Sequence, residues 1–351
     1  MAGTLAQKQQ NESAFEMLKN TLFAFAFVLP ALACAQPIDP VFISNVPELA
    51  EPLPDPVELP TPAGLASSAR VGRFSLTDTD ETTTAYRRHL KLRSAAALVV
   101  SQDQGQLLYA KNTDAVMPIA SITKLMTAMV VLDSGLPLDE ELAIEPADVD
   151  LLKGTRSRLK VGVVLTRREL LKLALMASEN RAAAALARAY PGGLSTFVQA
   201  MNLKAHDLGM RDTRFLDSTG LNPGNVSTAH DLALMVYAGY QYPLIREFTT
   251  SESHRIALAD RRFNRVVAFR NSNGLVRSHH WEIGLSKTGY INEAGRCLVM
   301  QATIAAKPVI IVLLDSWGKL SRIADANRIK RWVERLDLSA PVLSTGKPRL
   351  G

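Results

Sequence analysis

The sequence predicts an α/β protein: an antiparallel sheet flanked by helices, with an inserted helical subdomain. Three observations carry this. Two short apolar runs separated by turn residues stand at 95–110. Apolar residues at helical spacing dominate from Ser121 to Tyr237. After Trp281 strand-like runs return, followed by an amphipathic stretch from Leu320 to Leu336. Early and late strands must pair across the helical middle for one core to close, which makes that middle an insertion.

In chain order, the runs 95–100 and 106–110 flank Asp103 and Gly105 and read as a β-hairpin. From Ser121, residues Leu125, Met126, Met129 and Leu132 recur at helical spacing until Gly135 and Pro137 stop the helix. Thr166 and Glu169 form a capping-box pattern that opens a helix through Leu170, Leu173 and Leu175. The alanine-rich stretch 182–189 is a further helix, ended by Pro191, Gly192 and Gly193. Helices are also expected over 195–207 and 228–237. The runs 284–290, 297–304 and 309–314 are strands whose short connections imply antiparallel pairing.

The 351 residues allow two domains or one large one. With 47% hydrophobic and 21% charged residues, wholesale disorder and fibrous repeats are excluded. Apolar runs too short to span a bilayer exclude a polytopic membrane protein. Two cysteines cannot build a disulfide scaffold or a four-cysteine zinc site. The net charge of +6 fits an anionic partner, of which nucleic acid is only one kind; no motif here calls for nucleic acid. The six histidines His89, His206, His230, His254, His279 and His280 show no metal-ligand spacing, so neither a metal nor an organic cofactor is expected.

Residues 1–35 read as an export signal. Lys19 precedes an apolar run, 22–33, which ends in Ala33-Cys34-Ala35. Met17 is an alternative start, because Glu16 sits where positive charge is expected. Cleavage after Ala33 would leave Cys34 as a lipid acceptor. Ala31 stands where leucine usually precedes that cut, which favours cleavage after Ala35 and loss of Cys34. Cys297 is then expected to be a small buried apolar residue. Residues 36–92 read as an acidic tether, with eight prolines between Pro37 and Pro62. Arg87, Arg88, Lys91 and Arg93 read as a solvated lead-in to a folded module over 93–337, and 338–351 as a short tail.

Three motifs stand in order: Ser121-Ile122-Thr123-Lys124, Ser178-Glu179-Asn180 and Lys287-Thr288-Gly289. Taken alone, S-x-x-K is weak, since roughly one match is expected by chance in such a length. The chain in fact holds four, at Ser121, Ser157, Ser316 and Ser344. Context separates them. Ser121 opens a helix, which puts Lys124 one turn on and beside it. Ser157 lies in the loop-like stretch around Gly154 and Arg158, Ser316 in a turn beside Trp317 and Gly318, and Ser344 in the tail. In isolation Ser121 would be a helix cap, Asn180 a helix end and Lys287 a strand-edge charge.

Together the motifs specify a chemistry. A serine hydroxyl barely ionises at neutral pH, so a base must take its proton during attack. Lysine can be that base only when neutral, and both desolvation and a neighbouring cation such as Lys287 favour the neutral form. The helix start at Ser121 offers backbone N–H groups and a positive dipole end to an oxyanion. Ser178 can pass a proton between Lys124 and a leaving group, Asn180 can hold a peptide amide, and Lys287 and Thr288 can bind a carboxylate. Gly289 lets a ligand backbone lie against the strand edge.

The triplets S-x-x-K, S-D-N and K-T-G mark class A β-lactamases and penicillin-binding proteins. With the stretches PIASITKLMTAMVVLD, LALMASENRAA, DSTGLNPGNVSTAHDLA and IGLSKTGYINEAGRCLVM, the region 95–336 resembles the low-molecular-mass D-alanyl-D-alanine endopeptidases of the penicillin-binding protein 7 type. The resemblance implies a β-lactamase/transpeptidase-like fold and a periplasmic serine D,D-peptidase acting on peptidoglycan peptides and inhibited by β-lactams. It makes Ser121 the acylated nucleophile, Lys124 its base, Ser178 the proton relay and Lys287 the substrate-binding cation, with an oxyanion hole from the backbone N–H groups of Ser121 and Tyr290. Glu179 departs from the aspartate usual in β-lactamases and argues mildly against that activity. The short stretch after Leu336 lacks room for the β-rich domain of many carboxypeptidase relatives, which favours cross-link cleavage over carboxypeptidase action. A β-lactamase would need a carboxylate to hold its deacylating water, with Glu141, Glu145 and Glu169 as candidates. A non-catalytic wall-binding or lactam-sensing module is the rival of another class.

Overall fold

A computed structural model describes residues 76–77, 90–260, 263–318 and 320–336. The expected export signal, most of the tether and the tail, with Cys34 and Ser344, lie outside the described residues.

The main sheet is built from β1 (Ser94–Ser101), β2 (Leu107–Lys111), β9 (Glu282–Ile291), β10 (Gly295–Ile304) and β11 (Lys307–Ser316). Their order is β2-β1-β11-β10-β9, and every pairing is antiparallel. The first strand therefore lies against the last, with Val99 opposite Ile311, as closure of one core across the insertion demands. Successive residues alternate between two apolar layers. Ala96, Leu98, Val100, Ile310, Val312 and Leu314 join one core with Leu125, Met129, Leu232 and Val236. Ala97, Val99, Val309, Ile311 and Leu313 join the other with Ala326, Ile329 and Val333. A sheet covered on both faces explains why β11 reads as a continuous apolar run.

The insertion contains α1 (Lys124–Asp133), α2 (Arg167–Lys172), α3 (Asn180–Arg188), α4 (Gly193–Asp207), α5 (Ala229–Tyr240) and α6 (Pro243–Thr250). Helix α7 (Ser321–Val333) covers the far face of the sheet. The capping box forms as expected: Thr166 Oγ1 accepts from Glu169 N–H at 3.2 Å, and the Glu169 carboxylate accepts from Thr166 N–H at 3.0 Å. Three differences from the sequence reading matter. Ser121 lies in a 3₁₀ turn, Ala120–Thr123, and the α-helix begins only at Lys124. Helix α2 passes into a π-turn, Leu173–Ala177, that ends at Ser178. Ser316 is the buried last residue of β11, not a turn residue, and its hydroxyl meets Ser94 Oγ at 2.7 Å. Helix α6, a hairpin of β7 (Ser253–Asp260) and β8 (Phe263–Arg270), and the short pairs of β3 (Met117–Pro118) with β6 (Val226–Ser227) and β4 (Glu141–Ala143) with β5 (Val164–Thr166) add to the expected elements.

Cys297 is fully buried, and burial pushes its thiol up to about 11, as a small core residue requires. Among the described residues no helix is long and apolar enough to cross a membrane, and no His, Cys, Asp and Glu group is arranged to hold a metal ion.

Candidate active site

The three motifs meet where the 3₁₀ turn, the π-turn and β9 converge. Two of the junctions are conformationally costly. Ala120 and Ser178 hold φ of 48° and 61°, in the left-handed region that disfavours side chains. A π-turn running into a left-handed serine aims Ser178 across the cleft instead of along its helix. On the opposite wall, a Cβ on Gly289 would lie 2.8 Å from the Ile119 carbonyl oxygen and 3.2 Å from Ser121 N. Glycine is thus required there by the turn that carries Ser121, a tighter demand than the room for a ligand inferred from sequence.

Lys124 is fully buried, and its amine has three partners. Asn180 Oδ1 lies at 2.7 Å, the Thr219 carbonyl oxygen at 2.6 Å and Ser121 Oγ at 2.9 Å. Burial lowers its pKa to about 7, against the opposing pull of Asp217 and Glu179. A neutral amine carries two N–H groups and one lone pair. The two carbonyl oxygens can only accept, so they take the hydrogens. The lone pair is left facing Ser121, whose hydroxyl can donate. Burial is the largest cause of the depression at Lys124, ahead of any second cation. Lys287 is itself buried, and burial with the nearby charges of Lys124 and Arg322 drives it well below its ordinary value.

The remaining motif residues are placed as follows. Ser178 Oγ lies 2.8 Å from Lys287 Nζ, so its hydroxyl meets Lys287 and not Lys124, contrary to a direct relay. Asn180 spends its oxygen on Lys124 and one N–H on Thr155 Oγ1 at 2.9 Å, leaving one N–H for a ligand amide. Thr288 Oγ1 donates to Ser272 Oγ at 2.7 Å, a bond it must give up to donate to a carboxylate. Tyr290 is 51% exposed, with the Arg296 guanidinium 4.5 Å from its ring centre.

Sequence reasoning passed over six contributors. The Thr219 carbonyl is fixed by Asp217, whose carboxylate accepts from the N–H groups of Thr219 and Asn222 at 2.8 Å each. The Asp-Ser-Thr-Gly…Asn-Pro-Gly-Asn composition was the available signal of a tight turn. Gly220 within it approaches so closely that a Cβ would fall 1.9 Å from the Ala120 carbonyl oxygen. Thr155 and Ser157 reach the second motif from a loop, with Ser157 Oγ donating to Glu179 Oε2 at 2.6 Å. Arg322 donates to the Gly289 carbonyl at 3.1 Å.

Comparison with known proteins gives the chain its relatives. A family model described as D-alanyl-D-alanine carboxypeptidase (peptidase S11) matches residues 81–318. A D-alanyl-D-alanine endopeptidase of Pseudomonas aeruginosa is 52% identical over 250 residues, covering 71% of this chain and 80% of that protein. One from Escherichia coli is 46% identical over 244 residues, covering 70% and 78%. Among solved structures, a mutant of the Streptomyces K15 DD-transpeptidase superimposes with a TM-score of 0.66 at 29% identity, covering 70% of this chain and 99% of that one. Penicillin-binding protein D2 of Listeria monocytogenes, in its ampicillin-bound form, gives 0.59 at 32% identity, covering 70% and 98%. By the span of that family model and the identity of these relatives, the chain belongs to the peptidase S11 family, D-alanyl-D-alanine carboxypeptidase.

Proposed function

We propose that this protein is an exported, periplasmic serine D,D-endopeptidase that hydrolyses D-alanyl cross-links in peptidoglycan through an acyl-enzyme on Ser121. The observation that carries the reading is the Lys124 amine, dry and saturated by two acceptors, with its lone pair 2.9 Å from Ser121 Oγ. Ser121 attacks the D-alanyl carbonyl carbon as its proton passes to Lys124. The oxyanion meets the backbone N–H groups of Ser121 and Tyr290. Collapse breaks the C–N bond, and the leaving amine takes a proton through Ser178. Because Ser178 rests against Lys287, its hydroxyl must turn to Lys124 and take the proton held there as it gives its own to the leaving nitrogen. Lys287 and Thr288 receive the substrate's free carboxylate, and Asn180 the neighbouring amide. Water then attacks the ester, releases the acyl group and restores Ser121.

β-Lactams fit the same site as acylating inhibitors. A β-lactamase role is disfavoured, because two of its three candidate carboxylates are committed elsewhere. Glu169 caps its own helix, and Glu145 pairs with Arg188 at 2.8 Å. Carboxypeptidase action remains the second reading, because the family description names it while relatives at 52% and 46% identity are named endopeptidases. Covalent labelling with a fluorescent penicillin is expected in the wild type and absent in Ser121→Ala; full labelling of that variant would overturn the assignment. Incubation with purified dimeric muropeptides is expected to yield monomers, whereas loss of terminal D-alanine alone would make it a carboxypeptidase.

A further inference from the structure

The segment 149–163 lies between the 3₁₀ turn Pro146–Asp148 and β5 (Val164–Thr166), and none of its residues belongs to the three motifs. It nevertheless grips the second motif twice, Ser157 on Glu179 and Thr155 on Asn180. Thr155 is itself held. Its hydroxyl donates to Asp150 Oδ2 at 2.6 Å, and the Asp150 carboxylate also accepts from the N–H groups of Leu152, Lys153 and Thr155. Lys153 ties the same segment to Glu293 in the turn between β9 and β10.

The direction of each bond in this chain is determined from its carboxylate end. An ionised carboxylate only accepts, so the Thr155 proton points to Asp150. The Thr155 oxygen is then left with lone pairs and must face the Asn180 nitrogen. The Asn180 oxygen consequently faces Lys124 and takes one of its N–H groups, which helps turn the amine's lone pair to Ser121. Every donor from Ser121 outward points toward Asp150. Burial pulls the Asp150 carboxyl upward, but hydrogen bonds from Thr155 and from three backbone N–H groups outweigh it, so the carboxylate stays ionised.

We propose that Thr155, anchored by Asp150, is a positioning residue that fixes the orientation of the Asn180 amide and thereby keeps the Lys124 lone pair on Ser121. The inference rests on the acyl-enzyme reading above. With the anchor gone, the amide is free to turn its nitrogen to Lys124. It would then donate to the lone pair that Ser121 needs, and would favour the neutral amine.

The test is the pH profile of acylation by a fluorescent penicillin in the wild type, Thr155→Val and Thr155→Ser, with a melting temperature for each. Thr155→Val is expected to lower the plateau rate roughly tenfold, the worth of one directed hydrogen bond. It should also move the acid limb to lower pH, and Thr155→Ser should restore both. The other charged groups facing Lys124 are Asp217, Glu179 and Lys287; none is altered, so the limb reports on the amide. A wild-type plateau and limb in Thr155→Val would overturn the proposal. So would a lowered plateau with an unmoved limb, or a Thr155→Ser variant as slow as Thr155→Val. A wild-type protein that is not labelled at all defeats the acyl-enzyme reading itself, a result distinct from either.

Discussion

Lys124 and Lys287 stand on opposite walls of one cleft, and both are buried to within 1% of complete exclusion from solvent. Their surroundings differ in sign. Lys124, on the helical wall, has acceptors for two hydrogens and feels two carboxylates, Asp217 and Glu179, which offset part of its desolvation. Lys287, on the sheet wall, meets Ser178 and the Thr288 carbonyl and feels only cations, Lys124 and Arg322. Equal burial therefore gives unequal chemistry. The first amine is poised to exchange a proton near neutral pH, as a general base must. The second lacks a counter-charge, and a bound carboxylate would supply one and restore its proton.

Exchanging the charge at the first wall should break the comparison most severely. Lys124→Arg keeps a cation but cannot act as a base, because guanidinium does not lose its proton in proteins. Acylation by penicillin is expected to fall about a thousandfold, the usual worth of a positioned base, and stopped-flow or gel-based labelling rates will read it. A near-normal rate would mean that Lys124 is not the base. At the second wall the loss should be smaller and should fall on binding. Lys287→Gln forfeits one charge-assisted contact with the substrate carboxylate, so kcat/KM for a D-alanyl peptide should drop about 10–100-fold. Calorimetry in two buffers of different ionisation enthalpy sharpens the point. Proton uptake on binding a carboxylate-bearing peptide is expected in the wild type and not in Lys287→Gln.

The two walls also differ in how much of them a sequence reader can see. Ser121 and Lys124 are one helical turn apart, and Lys287, Thr288 and Gly289 are consecutive on a strand, so local periodicity places each group. The pairing of β1 with β11 followed from the need to close one core. What sets Lys124's protonation is not local. The Thr219 carbonyl is a backbone atom 95 positions away and Asn180 is 56 positions away, and a backbone oxygen leaves no mark in side-chain pattern. That burial is the main cause of the depression at Lys124 was hidden for a related reason. The sequence displays formal charges but not how completely each amine is buried. Likewise Ser178 was expected to pass a proton between Lys124 and a leaving group. Only the π-turn and its left-handed end turn it toward Lys287.

The gentlest perturbation isolates the carboxylates on the Lys124 wall. Glu179 is the residue at which the second motif departs from the aspartate of β-lactamases, and its charge raises the Lys124 pKa. Glu179→Gln removes that charge while leaving an oxygen to accept from Ser157 Oγ, so the loop contact survives. With less stabilisation of the ammonium form, Lys124 loses its proton at lower pH. In the wild type, acylation should climb as pH rises through about 7, where Lys124 becomes neutral. In Glu179→Gln the same climb should come earlier, by a few tenths of a pH unit, since a charge not in contact with the amine acts through a high effective dielectric. The plateau above it should be unchanged, because the neutral amine and its two acceptors are unaltered. A limb that moves to higher pH would show that Glu179 acts through the loop and not through its charge. An unmoved limb would leave Asp217 as the carboxylate that tunes the base.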